Sequence, residues 1–120
     1  MKLRIKGNTI RLRLTQSEVA TIGADGSVKE TTIFSPTSQF EYEVQAREVA
    51  AIESEYQNNR MLISIPKAIA RAWAVSNDVG IEAEQNQLKI IIEKDFACLS
   101  PRGEEDSDTF ENPLSGQSKC

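Results

Sequence analysis

The sequence predicts a mainly β (α+β) fold: about eight antiparallel strands and two short helices, duplicated about a pseudo-two-fold axis as hairpin-helix-hairpin units that curl into a barrel. The first observation behind this is a repeat of layout at an offset of 51 residues, with few identities kept. Gly7-Asn8 and Asn58-Asn59 each precede a short alternating apolar run, Ile10, Leu12, Leu14 in one copy and Met61, Ile63, Ile65 in the other. Each run ends at Thr15 or Pro66, enters a short helical pattern, and reaches a valine, Val28 or Val79, that opens another strand. The second observation is size. A chain of 120 residues with 39% hydrophobic content supports one compact core, so two copies this small must share it. The third is the shortness of the helical patterns, which cannot cover both faces of a sheet and leave the strands to roll up on themselves.

Leu3 and Ile5 alternate with Lys2, Arg4 and Lys6, and Ile10, Leu12 and Leu14 alternate with Arg11 and Arg13 across Gly7-Asn8, which is a two-residue hairpin signal. That register sets Ile5 against Ile10 and Leu3 against Leu12 on one side, and Arg4 against Arg11 and Lys2 against Arg13 on the other. Thr15, with Glu18 three residues on, forms a capping box for a helix of about two turns. Val19 and Ile22 give it an apolar face, and Gly23 is its stop. Strands over 27–34 and 40–44 flank the turn-rich Ser35-Pro36-Thr37-Ser38.

In the second copy a hairpin over 47–56 and 60–65 turns at Asn58-Asn59, with Tyr56 facing Met61 and Ile52 facing Ile65. Pro66 suits a first helical turn, where a missing N–H costs nothing, and Ile69, Ala70 and Trp73 supply the buried stripe. Strands over 79–84 and 88–93 close the layout around Gln85-Asn86-Gln87. The barrel is expected to span 1–97 as a single domain, with pseudo-repeats 1–45 and 46–97. From 98 to 120 the periodicity gives way to Ser, Pro, Gly, Asp and Glu, an acidic, Cys-containing tail that is either disordered or laid over the surface.

Charge is segregated along the chain. Residues 1–94 hold 12 Lys/Arg and 12 Asp/Glu, whereas residues 95–120 hold 2 and 6, so the tail supplies the net charge of -4. The first 13 residues carry five bases and no acid. No stretch nears the roughly 18 apolar residues of a membrane span, and Met-Lys-Leu-Arg-Ile-Lys is not a secretory signal. A cytoplasmic protein without membrane association is expected. The chain has no histidine, which removes Ser-His-Asp and Cys-His catalysis and His-rich zinc sites.

Cys98 and Cys120, with Asp106 and Asp108 between them, match no zinc spacing. Whether the two thiols are free, paired or metal-bound stays open, free thiols being the ordinary state in a reducing compartment. Gly23-Ala24-Asp25-Gly26 lacks the length and the lysine of a phosphate loop, and Asp78 and Glu82 have no convergent pocket in which to work as acid and base. No catalytic, cofactor-binding or metal-ligating residue is expected, no cofactor, and no enzyme. Trp73 and Tyr56 fit the core.

Two resemblances add to this. The stretch Leu62-Ile63-Ser64-Ile65-Pro66-Lys67-Ala68-Ile69-Ala70, then Trp73, Asp78-Val79-Gly80-Ile81-Glu82 and Leu88-Lys89-Ile90, resembles the strand-helix-strand-strand element of the AbrB/SpoVT swapped-hairpin family over residues 62–94. In that family two copies interleave into a barrel. Here the first copy has Leu14-Thr15 in place of Ile65-Pro66, so the resemblance implies a fused pair that builds within one chain what the family builds by dimerising. Its members are mostly transcription regulators or antitoxins that set basic side chains against DNA, and the resemblance implies that activity as a candidate. The whole chain also looks like an uncharacterised family of short bacterial proteins, a domain of unknown function. Ile5-Lys6-Gly7-Asn8, Ile10-Arg11-Leu12-Arg13-Leu14-Thr15, Glu93-Lys94-Asp95-Phe96 with Cys98-Leu99, and Glu105-Asp106-Ser107-Asp108 with Asn112-Pro113 carry it.

The basic side of the first hairpin is the candidate site, with Arg4, Lys6, Arg11 and Arg13 as contacts to an anion or a nucleic acid. Like charges directly opposite across strands cost about a few tenths of a kcal/mol, so these bases need an anion nearby. A neighbouring strand could supply it through Glu41 and Glu43, or Glu82 and Glu84. A phosphate backbone could also serve, as could the tail's Glu104, Glu105, Asp106, Asp108 and Glu111 folded back over the bases. A sequence pI of about 4.9 and few aromatics in the basic segment disfavour nucleic acid. The reading is a small non-catalytic cytoplasmic binding or scaffold protein of unknown specific role and unknown partner, with another protein or a second copy in a homodimer as the candidates and nucleic acid possible but not favoured. The alternative is an AbrB-like DNA-binding regulator or antitoxin.

Overall fold

A computed structural model of the protein describes residues 1–96 and Phe110. Its elements in chain order are β1 (Lys2–Lys6), β2 (Thr9–Leu14), α1 (Gln16–Asp25), β3 (Ser27–Ser35), β4 (Ser38–Arg47), β5 (Glu53–Gln57), β6 (Arg60–Pro66), α2 (Lys67–Val75), β7 (Gly80–Gln85) and β8 (Leu88–Lys94). The eight strands form two four-stranded sheets, ordered β1-β2-β8-β7 and β3-β4-β6-β5. Each sheet therefore takes one hairpin from each half of the chain, and exchanging the halves turns one strand order into the other. The acidic tail expected over 98–120, with Cys98, Cys120 and the carboxylates of 104–111, lies outside the described residues apart from Phe110.

The hairpins are antiparallel, but the junctions of β2 with β8 and of β4 with β6 are parallel. The sheets are thus mixed, a correction to the wholly antiparallel arrangement expected. Parallel neighbours need a long connection. Exchange of hairpins between the halves provides one, while alternation along the chain reveals only the local pairings.

An offset of 51 superposes Leu12 on Ile63, Leu14 on Ile65 and Ile22 on Trp73, all at 2% exposure or less. They share one apolar cluster with Val44, Ile90 and Ile92, so neither half has a core to itself. Past the helices the equivalence shifts. Val28, paired with Val44, corresponds to Ile81, paired with Ile92. Val79 lies ahead of β7 and is exposed, because only Gly26 separates α1 from β3 whereas residues 76–79 separate α2 from β7.

Helix α1 starts on the expected capping box: the Glu18 N–H donates to Thr15 Oγ1 at 3.3 Å, and the Thr15 N–H donates to Glu18 Oε1 at 2.8 Å. It does not stop at Gly23. It runs on to Asp25, because Gly26 is the residue that takes the left-handed conformation, φ 89°, and closes the helix with a 3.0 Å bond from its N–H to the Ile22 carbonyl. In α2 the buried stripe narrows to Ala70 and Trp73, with Ile69 left exposed at its border. Strand β5 begins at Glu53 rather than at 47, with Ile52 buried just ahead of it. Tyr56 is not core but 63% exposed: it lies near the end of an edge strand, its ring tilted against Phe40 at 6.3 Å. No helix among the described residues is long and apolar enough to cross a membrane.

Side-chain bridges tie the sheets together at both seams. The Met1 ammonium donates to Glu18 Oε2 at 2.6 Å and Glu30 Oε1 at 2.9 Å. The Tyr42 hydroxyl donates to Glu30 Oε2 at 2.8 Å, so the start of β1 is anchored to α1, β3 and β4. At the other seam the Ser54 N–H and hydroxyl donate to Gln85 Oε1 at 2.8 and 3.0 Å, joining β5 to β7.

The first seam makes stability depend on pH in a definite sense. Burial alone would raise the Glu18 pKa, but the Met1 ammonium and the Thr15 bonds outweigh it and hold the carboxyl below its usual range. Burial alone would lower the Met1 ammonium, yet Glu18 and Glu30 together hold it above its ordinary value. Burial, then the bond to Glu30, pushes Tyr42 up to about 12. The Glu18 contribution is complete above the ordinary carboxylate range and is lost as pH falls through its folded value. Those of Met1 and Tyr42 are complete below the ordinary values of these groups and are lost as pH rises through the folded ones. Melting temperature followed from about pH 3 to about pH 10 should therefore fall at both ends, and Glu18→Gln should flatten the acid limb. An unchanged acid limb in that variant would refute the assignment.

Candidate functional site

The two-residue turn with Gly7 at φ 54° sets the register as expected: Arg4 lies opposite Arg11, and Lys2 opposite Arg13. With Ile10, Leu12 and Leu14 turned into the core, the two-residue period of the strands places Lys2, Arg4, Lys6, Arg11 and Arg13 on the outer face. Arg4, Lys6, Thr9 and Arg11 line a cleft of about 140 Å3. Three of the four predicted contact residues thus converge.

Arg13 does not join them. Its Nε donates to Glu93 Oε1 at 3.3 Å, and Arg11 Nε lies 3.6 Å from the same oxygen. Glu93 belongs to the other half of the chain and stands beside Arg13 because β8 runs parallel to β2. Lys2 Nζ is 3.1 Å from Asp95 Oδ2. Glu93 and Asp95 are therefore acids that meet this face, in place of the pairs expected. Glu41 and Glu43 are held by Arg60 in the other sheet, the first at 2.8 Å. Glu82 and Glu84 lie on β7, opposite Ile91 and Lys89 and one strand further from the bases. The single sequence signal for Glu93 was the interleaving itself, since exchanged hairpins must bring β8 alongside β2.

Gly80 gives Glu93 its freedom to lean that way. It pairs with Glu93 across β7 and β8, and a Cβ there would stand 2.7 Å from the Ile92 carbonyl oxygen and 3.1 Å from Glu93 Cγ. A side chain would crowd both the backbone and the carboxylate.

The basic face is not demanded by the fold. The positions equivalent to Lys2 and Arg4 in the second half are Glu53 and Glu55, on the same strand of the matching hairpin. There Glu55 approaches Arg47 at 4.0 Å. The same backbone thus accepts acid where the first half has base.

Chemically the cleft is a cluster of donors: two guanidinium groups, one ammonium and one hydroxyl. It suits an oxyanion. A second depression, about 480 Å3, is lined by Asn8, Ser54, Gln85, Asn86, Gln87 and Leu88, none of which titrates. Several of its polar groups bond to each other, Ser54 to Gln85 and Asn8 to the Gln87 carbonyl.

Fold and site together define a class: a mainly β protein built from hairpins exchanged between two halves, with a cationic cleft on the outer face of one sheet. The chain belongs to the DUF7009 family, a family of unknown function, whose pattern matches residues 1–114. No curated protein matches it. The matched range includes the basic hairpin, both seams, and residues 97–114 of the stretch beyond Phe96.

Proposed function

We propose that the protein is a small, non-catalytic, cytoplasmic binding module that grips an anionic group on a macromolecular partner with the outer face of its first hairpin. The convergence of Arg4, Lys6, Thr9 and Arg11 on one cleft carries this reading. At about 140 Å3 the cleft falls below the roughly 300–1,000 Å3 of pockets that enclose small molecules. It has room for one carboxylate or phosphate presented by something larger. Among such partners an acidic protein segment is favoured over nucleic acid, since the sequence pI is about 4.9 and the basic hairpin carries no aromatic residue on which a base could stack.

Titration with an acidic peptide and, separately, with duplex DNA tests this. The peptide should bind with an affinity that falls as salt rises, and Arg4→Ala with Lys6→Ala should weaken it about tenfold or more, the loss of two charge-assisted bonds. DNA binding tighter than micromolar at physiological salt would favour the regulator reading implied by the AbrB resemblance. Peptide affinity indifferent to Arg4 and Lys6 would remove the cleft from the argument.

A further inference from the structure

The two halves differ most at one hairpin. Strand β8 meets β2 from Lys89 onward, so the β7–β8 hairpin ends almost flush with its sheet. Strand β4 meets β6 only from Glu41 onward, while the β3–β4 ladder continues to Ser35 and Ser38. Residues 32–40 therefore project as a two-stranded ribbon. They fall within Thr31–Phe40, the longest stretch of the chain without a charged residue.

The pairing jumps from Ile33–Gln39 to Ser35–Ser38, which leaves Phe34 as the extra residue of a bulge. A bulge redirects a side chain. Here Ile33 and Phe34 both stand out, each 71% exposed. Pro36, in the turn, has no N–H to offer another strand, so the tip presents side chains rather than a pairing edge. Exposed large apolar side chains grouped in this way mark a contact surface.

A matching recess lies at the other pole of the molecule. A groove of about 1010 Å3 runs between the helices, its apolar wall formed by Leu14, Val19, Ala20, Ala74, Val75 and Phe96, with polar side chains and the charged Lys94 and Asp95 also in its lining. Val75 is 89% exposed. At the rim, the Lys94 ammonium donates to the Ser76 carbonyl at 2.6 Å and lies over the Trp73 ring. Strand β3 leaves α1 and runs nine residues, about 30 Å, before it reaches the tip, so a molecule cannot seat its own tip in its own groove.

We propose that the protein assembles head to tail, the Ile33-Phe34 tip of one copy seating in the groove between α1 and α2 of the next. An uncharged projection and a recess with an apolar wall on one chain make that chain its own complementary partner. Because tip and groove are different surfaces, each contact leaves one of each unfilled, and the assembly adds copies until it closes into a ring or runs on as a filament. The inference is independent of the basic cleft.

Light scattering coupled to size exclusion, run over a range of concentrations, tests it. The parent protein should show mass rising with concentration above the 13.3 kDa of one copy. Phe34→Asp and Val75→Asp each alter an exposed side chain, so both should keep the parent's circular dichroism and melting, yet each alone should remain a single copy. Mixed in equal amounts they should give a particle of two copies and nothing larger, because one variant keeps its groove and the other its tip. A parent that stays single up to about millimolar, either variant assembling as the parent does, or a mixture that fails to pair would overturn the proposal. So would a parent that assembles only after the residues beyond Phe96 are removed, since the groove's occupant would then be the chain's own end.

Discussion

Cut between Val49 and Ala50, in the link between β4 and β5, the chain should yield two fragments that are each unfolded and that fold together on mixing. The first fragment would keep two hairpins and a helix but lose β8 beside β2 and β6 beside β4. Isolated hairpins are marginal in water. Leu12, Leu14 and Val44, all fully buried in the intact protein, would return to solvent at about 1.5–3 kcal/mol each. Ile63, Ile65, Ile90 and Ile92 would do the same in the second fragment. Those losses match or exceed the roughly 5–15 kcal/mol by which a domain is normally stable. Circular dichroism of each piece, then of the mixture, reads the result directly. A fragment with a cooperative melt of its own would contradict a shared core.

Trp73→Ala should be the most damaging single substitution at the helix-sheet contact, costing about 3–5 kcal/mol and lowering the melting temperature by on the order of 15–30 °C. Trp73 is 2% exposed and is the counterpart of Ile22 in the first half. Its indole Nε1 is nevertheless buried with no hydrogen-bond partner among the described residues. An unmet donor of that kind costs about 1–3 kcal/mol. Trp73→Phe removes it while leaving a smaller void than alanine does, so the phenylalanine variant should recover more than half of the loss. It should not recover all, because the Lys94 ammonium, 5.5 Å from the indole, interacts less well with a phenyl ring. If alanine and phenylalanine melt together, the cavity argument is wrong.

The duplicated layout and its shared core were legible in the sequence, and beyond them what was legible was local. Gly7-Asn8 and Asn58-Asn59 fix their hairpin registers because a two-residue turn leaves no freedom to slip, and both asparagines of the second turn do adopt positive φ, 55° and 60°. Thr15 and Glu18 announced the first helix because a capping box needs only two residues three positions apart. The cleft was readable because one hairpin assembles it. That a neighbouring strand could supply the counter-ion was readable too, but not which acid, since Glu93 reaches Arg13 only through a parallel junction, 80 positions along the chain.

Gly23 and Gly26 are both plausible helix stops by residue type, and it is Gly26 that takes the left-handed conformation and caps the helix on the Ile22 carbonyl. Tyr56 follows the core alternation, but position in the sheet, not periodicity, decides that an edge strand leaves it exposed. The bulge at Phe34 has no signature beyond the absence of charge around it.

Lys2 and Arg4 stand where their counterparts are Glu53 and Glu55. In a dimer of identical subunits every substitution is made twice, so a change useful on one surface is imposed on its mirror as well. A covalent tandem escapes that coupling. One twin can acquire a cationic face or a lengthened ribbon while the other keeps the plain version, and the inheritance of each surface becomes separate.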